Sequence, residues 1–146
     1  MATNAKSSIG VKLQRGDGAG SETFTTIGEV ISFKGPSEKA PQLDATSFDS
    51  TAMEFVAGLP DNGELTFECL FVGSNAQQQG LRTDLRAGTL RNFKLNLNDH
   101  ASDPTIVSFA AIVTGAPEVG ASVNQVVKGS CSLRISGSAS WHYRPS

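Results

Sequence analysis

The sequence predicts a mostly β chain, a β-sandwich or partly closed β-barrel with one flanking α-helix, and three observations lead to it. Several short segments alternate apolar and polar residues with period two, the pattern of a strand with one face in a core and the other in solvent. Turns rich in Gly, Asn and Asp separate them, and 15 of the residues are glycine. One stretch alone, residues 76–87, carries helical spacing with a start and a stop signal. At 146 residues the chain has the length of one domain. A domain of that size buries roughly 70% of its unfolded surface, enough for one real core.

Ile9, Val11 and Leu13 alternate with Gly10, Lys12 and Gln14 and predict a short first strand. Gly16-Asp17-Gly18-Ala19-Gly20-Ser21 supplies residues that tolerate positive φ, and the β-rich run from Phe24 to Phe33 completes a hairpin. This glycine stretch is not a phosphate loop: it leads into a strand and no Lys-Ser or Lys-Thr follows it. Gly35-Pro36 ends the second strand. Residues 36–62 are long for a loop in a compact domain, and they carry Leu43, Phe48, Met53, Phe55, Val56 and Leu59. So many apolar side chains do not suit disorder. Those that do not fit the core must bury against another chain, which makes this segment an assembly arm.

Asp61-Asn62-Gly63 is a turn, and Glu64 to Val72 follows with Leu65, Phe67, Cys69 and Phe71 on one face and Thr66, Glu68 and Leu70 on the other. The helix over residues 76–87 has Ser74 or Asn75 as N-cap and Gly88 as C-cap, with Leu81 and Leu85 one turn apart as its packing face. Gly80 inside it costs about 1 kcal/mol relative to Ala. Phe93, Leu95 and Leu97 mark a one-sided strand that ends in a turn at Asn98-Asp99-His100. Segments 105–114 and 125–137 complete a set of six or seven strands, and residues 138–146 read as a short C-terminal tail containing Trp141 and Tyr143. Residues 1–146 form a single domain without repeats or linkers.

The net charge of -2 excludes a conventional nucleic-acid reader, which needs a basic surface to displace counterions. The first eight residues have no apolar run, and nowhere do about 18 apolar residues occur together, so neither an export signal nor a membrane span is expected. Cys69 and Cys131 match no zinc or redox spacing, and each falls on an apolar face. Buried free thiols are the reading, with a disulfide as the alternative. His100 and His142 have no metal-ligand partner at helical spacing, and no Gly-x-Ser-x-Gly elbow occurs. No catalytic residue, cofactor or metal site is therefore expected.

The charges are patterned. Asp44, Asp49, Glu54, Asp61, Glu64 and Glu68 fall between Ala40 and Leu81 without one Lys or Arg, whereas Arg82, Arg86, Arg91 and Lys94 follow with Asp84 as their only acid. Two solvated faces of opposite sign would give this pattern. So would complementary surfaces on neighbouring subunits, whose charge sets orientation and register.

In order along the chain stand Glu22-Thr23-Phe24-Thr25-Thr26-Ile27-Gly28-Glu29-Val30, Gly35-Pro36, and Gly58-Leu59-Pro60-Asp61-Asn62-Gly63-Glu64-Leu65-Thr66-Phe67-Glu68. Gly80-Leu81-Arg82-Thr83-Asp84-Leu85, Phe93-Lys94-Leu95, Val113-Thr114-Gly115 and Ser132-Leu133-Arg134-Ile135-Ser136-Gly137 follow. Together they resemble the tail tube (major tail) proteins of long-tailed, lambda-like siphovirus bacteriophages, and the likeness runs from Val11 to Gly137. The resemblance implies a self-assembling virion protein, made in the bacterial host cytoplasm, whose hexameric rings stack into a tail tube. Its lumen would pass double-stranded DNA without specific binding, and its partners would be the tail tip or initiator, the tape measure and the tail terminator proteins. It also implies that segment 36–62 is a long hairpin arm touching neighbouring subunits and rings. The candidate interface residues are then Leu43, Asp44, Thr46, Phe48, Asp49, Met53, Phe55, Leu59, Arg82 and Arg86. In that family the lumen tends to be acidic, and Glu22, Glu29, Glu64 and Glu68, on predicted strands, are the candidates for facing it.

Two other classes remain open at this point. A β-sandwich carbohydrate-binding module or adhesin would use Trp141 and Tyr143 as stacking residues, and a small hydrolase would bring two carboxylates together in space.

Overall fold

The computed structural model describes residues 6, 7 and 9–145. Strand β1 (Lys12–Gly16) pairs with β2 (Phe24–Thr26) as an antiparallel hairpin in which Gln14 faces Thr26 and Gly16 faces Phe24. The expected start at Ile9 is not realised, because Gly10 turns the chain at φ +85° and leaves Ile9 exposed. The expected run from Phe24 to Phe33 divides into β2 and β3 (Val30–Lys34). Between them the buried Ile27 donates its N–H to the Leu13 carbonyl at 2.8 Å, and Glu29 adopts φ 57°, which ends the extended backbone.

The segment after Gly35-Pro36 holds a separate two-stranded ribbon, β4 (Gln42–Asp44) against β5 (Phe55–Ala57), anchored at its base by a bridge between Lys39 and Asp61. Strand β6 (Glu64–Leu70), helix α1 (Ala76–Ala87), β7 (Leu90–Asn96), β8 (Ile106–Gly120) and β9 (Lys128–His142) follow. Leu65, Phe67 and Cys69 are buried as the alternation requires, whereas Phe71 lies past the strand and is partly exposed.

Seven strands form one antiparallel sheet in the order β2-β1-β7-β8-β9-β6-β3. Its two edge strands, β2 and β3, are neighbours in sequence, joined only by Ile27-Gly28-Glu29. The sheet therefore curls, and a single core gathers Leu13, Leu65, Phe67, Phe93, Leu95, Phe109, Val113, Leu133 and Ile135 from its central strands. Closure stays partial: between β1 and β3 a slot of about 280 Å³ is lined by Leu13, Val30, Ile31, Ser32, Phe33 and Leu95, with Val11 at its edge. Of the two expected architectures this is the partly closed barrel, with the second sheet being the ribbon itself.

Helix α1 packs on the core side of β8. Asn75 caps it, its Oδ1 accepting from the N–H groups of Gln77 and Gln78, and Gly88 ends it at φ 66°. The buried stripe is Gln78, Leu81 and Asp84, not Leu81 and Leu85, and Leu85 is 36% exposed. Strands β8 and β9 are longer than expected because bulges between Ser108 and Ala110, and between Val113 and Glu118, interrupt an alternation that the pairing carries through. Ser138 to His142 belong to β9, so the expected tail begins only after His142. Trp141 sits opposite the buried Val107.

Candidate assembly surfaces

The ribbon is built to stand alone. Asp44 accepts the Thr46 N–H at 2.9 Å, the Thr46 hydroxyl and the Glu54 N–H meet at 2.9 Å, and Ala45 donates to the Glu54 carbonyl at 2.9 Å. Beyond this rung Ser50 donates to the Glu54 carboxylate at 2.8 Å, and its hydroxyl accepts the Ser47 N–H. Backbone N–H donation from Thr46 holds the Asp44 carboxyl below its ordinary pKa. Two candidate interface residues, Asp44 and Thr46, are thus occupied in shaping the arm itself. Leu43, Met53, Phe55 and Leu59 are more than half exposed, Phe48 is fully so, and Asp49 is exposed beside it. An apolar surface held in one conformation and left in water is what an interaction site requires.

The basic stretch after the acids does not form one surface. Arg91 turns inward to Asp84 at 2.9 Å, and Lys94 lies 4.3 Å over the Phe24 ring. Arg82 reaches across to the Pro117 carbonyl at 3.0 Å, and Arg86 stays exposed in the last helical turn, where a cation suits the helix dipole. Only Arg82 and Arg86 therefore remain outward as charge complements. The buried Asp84 also accepts from Arg15 at 2.8 Å, a contact with no sequence signal, since a lone carboxylate within a basic stretch carries no mark of burial. Gln78 gave no such signal either: it donates to the Gly28 and Leu70 carbonyls and accepts from the Val72 N–H, tying the β2–β3 turn and the end of β6 to the helix.

Of the acidic candidates, Glu22 and Glu29 are not on strands. Glu22 caps the β1–β2 loop, accepting from Gly18 and Asn92, and Glu29 forms the turn between β2 and β3. Glu64 and Glu68 lie on β6, on the outward face with Thr66. Register places Ser130, Ser132 and Arg134 of β9 on one side of them and Ser32 and Lys34 of β3 on the other, giving a face of hydroxyls and mixed charges with Arg134 bound to Asp61 at 2.7 Å.

The groups with chemical potential are otherwise engaged. Cys69 and Cys131 are unpaired, buried thiols; burial pushes both pKa values up, that of Cys131 to about 12. His100 Nδ1 accepts from the Ser102 and Asp103 N–H groups, and His142 Nε2 is 2.7 Å from Asp103. Trp141 and Tyr143 stack on each other with centroids 5.8 Å apart, and Tyr143 stays 70% exposed. Among the described residues no group of three or more His, Cys, Asp or Glu is placed to hold a metal ion, and no helix is long and apolar enough to cross a membrane.

A family profile described as phage tail tube, TTP, lambda-like, matches residues 8–145. No curated protein sequence matches the chain. Among solved structures, a chain from the tail of an empty GTA particle, refined helically with C6 symmetry, is similar with a TM-score of 0.74 at 20% identity, covering 94% of this chain and 99% of that one. A chain of the 6-fold symmetrised anti-feeding prophage baseplate is similar with a TM-score of 0.72 at 16% identity, covering 98% of each. A chain of the SPP1 tail tube gives 0.68 at 14% identity, with 92% of this chain and 77% of that one covered. At these identities the likeness is one of fold.

Proposed function

The chain belongs to the lambda-like phage tail tube family, and we propose that it forms stacked hexameric rings, joined through its β4–β5 arm, whose lumen conducts double-stranded DNA out of the capsid. It is a structural protein of the virion tail. Six subunits per ring follow the C6 and 6-fold symmetry of the particles whose chains share its fold. The tube's ends would be met by a tail tip or initiator and by a terminator, in keeping with a baseplate and a tube-terminating cap among those particles. A tape measure protein would occupy the lumen before the DNA does. The role needs no catalysis, and thiols this weakly acidic are poor nucleophiles.

The observation that carries the arm reading is the arm itself: apolar side chains exposed on a ribbon whose hydrogen bonds are already made. For the lumen we favour the outward face of β6 and β9, where Glu64 and Glu68 stand among Thr66, Ser130 and Ser132 and would repel phosphate, with Arg134 held by Asp61 and Lys34 and Lys128 at the margins. Removing residues 43–57 tests the arm. The shortened chain is expected to keep its thermal midpoint within a few degrees, because the ribbon lies outside the core, and to form no tubes when offered a tail-tip complex. Tubes of normal length from it would overturn the reading.

A further inference from the structure

We infer that the tip of the β8–β9 hairpin, Val119 to Lys128, is the seat that receives the arm of a second copy of this chain. The inference rests on the arm reading above and names the surface that the arm meets. Val119, Val123 and Val126 are 50%, 89% and 60% exposed, with Val127 and Phe71 beside them, joined by the Phe71 N–H donating to the Val127 carbonyl at 2.9 Å. The turn does not need these valines. Its own bonds are polar: Ser122 donates to the Gln125 side chain, the Gln125 N–H returns to the Ser122 carbonyl, and Asn124 takes the left-handed conformation at φ 64°. The apolar side chains are surplus to the fold.

Position decides what can cover them. The arm leaves the body at the Glu64 end of β6, whereas the hairpin tip meets the Leu70 end, where Leu70 pairs with Lys128. Six residue steps of about 3.3 Å separate the two ends, roughly 20 Å. Two apolar patches at opposite poles cannot cover each other within one copy, but the arm of one copy can cover the tip of the next. Such a contact joins unlike surfaces, and repeated in one sense from copy to copy it builds a ring or continues along an axis. Charge agrees with this direction. From Ala40 to Ala57 the arm carries Asp44, Asp49 and Glu54 without a Lys or Arg, while Val119 to Lys128 contains no acid and ends on a lysine. Arg82 reaches Pro117 just before the tip, and Glu118 is the acid at its margin.

The test uses tubes grown on a tail-tip complex. A chain carrying Phe48→Cys with Val123→Cys is expected to give a ladder of covalent multimers on mild oxidation, since Cys69 and Cys131 are buried, and neither single variant is expected to do so. Tubes without a ladder, or dimers from Phe48→Cys alone, would overturn the seat. The companion chain Val123→Asp/Val126→Asp is expected to stay folded by circular dichroism and to lengthen tubes at least tenfold less than the unaltered chain. If it lengthens them normally while removal of residues 43–57 stops growth, the seat is wrong and the arm reading stands. If removal of the arm leaves growth intact, the arm reading itself has failed.

Discussion

Asp84 takes both Arg15 and Arg91 with its side chain 1% exposed, and through them the helix is fastened to β1 and β7. Gly80 belongs to the same arrangement, because a Cβ there would stand 2.7 Å from the Arg15 guanidinium carbon. An alanine would gain about 1 kcal/mol of helix propensity. It would also push Arg15 off Asp84, and breaking a buried ion pair costs about 3–5 kcal/mol. With Arg91 still in place the lower end applies, so Gly80→Ala is expected to destabilise the chain by roughly 1–3 kcal/mol in urea unfolding. In an Arg15→Met background the same change should become neutral or stabilising. A stabilising Gly80→Ala in the unaltered chain would show that Arg15 yields without cost. None of this was legible in the sequence, where a glycine inside a helix reads as a defect and an aspartate next to arginines reads as surface. The apolar spacing of Leu81 and Leu85 pointed to a greasy contact, and the actual contact is one leucine between a glutamine and a carboxylate.

Elements whose pattern comes from one exposed and one buried face were legible: β6, β7 and the capped helix lie where alternation and end signals put them. The segment of the β4–β5 ribbon stood out as an excess of apolar residues with no place in a loop, and those residues are exposed in the structure. Two things were not. A run of β-formers hides a chain reversal when the reversing residue is an ordinary glutamate, so β2 and β3 read as one strand. A bulge shifts the alternation, so β9 was ended at Gly137, φ 82°, although its pairing continues to His142. The outward face of β6 carries a prediction at this scale. If Glu64 and Glu68 line the lumen, Glu64→Lys/Glu68→Lys tubes should assemble, yet release DNA more slowly at low salt and recover as salt rises, because lysines bind phosphate by releasing counterions. Release in single-particle assays that is unchanged and independent of salt would place this face elsewhere.

At the scale of the whole molecule, strand order was beyond the sequence: the curl of the sheet follows from β2 and β3 lying at opposite edges although they are adjacent in the chain, a relation that no local pattern encodes. What holds the connections of this curled sheet is a set of carboxylates at its turns. Asp17 lies in the β1–β2 loop, Asp44 and Asp61 at the outer and inner ends of the ribbon, and Asp99 between β7 and β8. Each sits below its ordinary pKa of 3.8, chiefly because a backbone N–H donates to the charged form, from Ala19, Thr46, Gly63 and Thr105 respectively. A folded pKa below the unfolded value means that, in acid, the unfolded chain binds protons the folded chain refuses. The stabilisation is therefore complete above 3.8 and is lost as pH falls through the lower folded values. Thermal midpoints should be flat from about pH 8 to pH 5 and fall below about pH 4, where Asp and Glu titrate. Because Asp17, Asp44 and Asp61 are exposed and Asp99 is only partly buried, each contributes little and the decline comes from their sum. Replacing all four by Asn should lower the midpoint at neutral pH and flatten its decline in acid. A fall in acid just as steep in the Asn chain would assign the acid sensitivity to other groups.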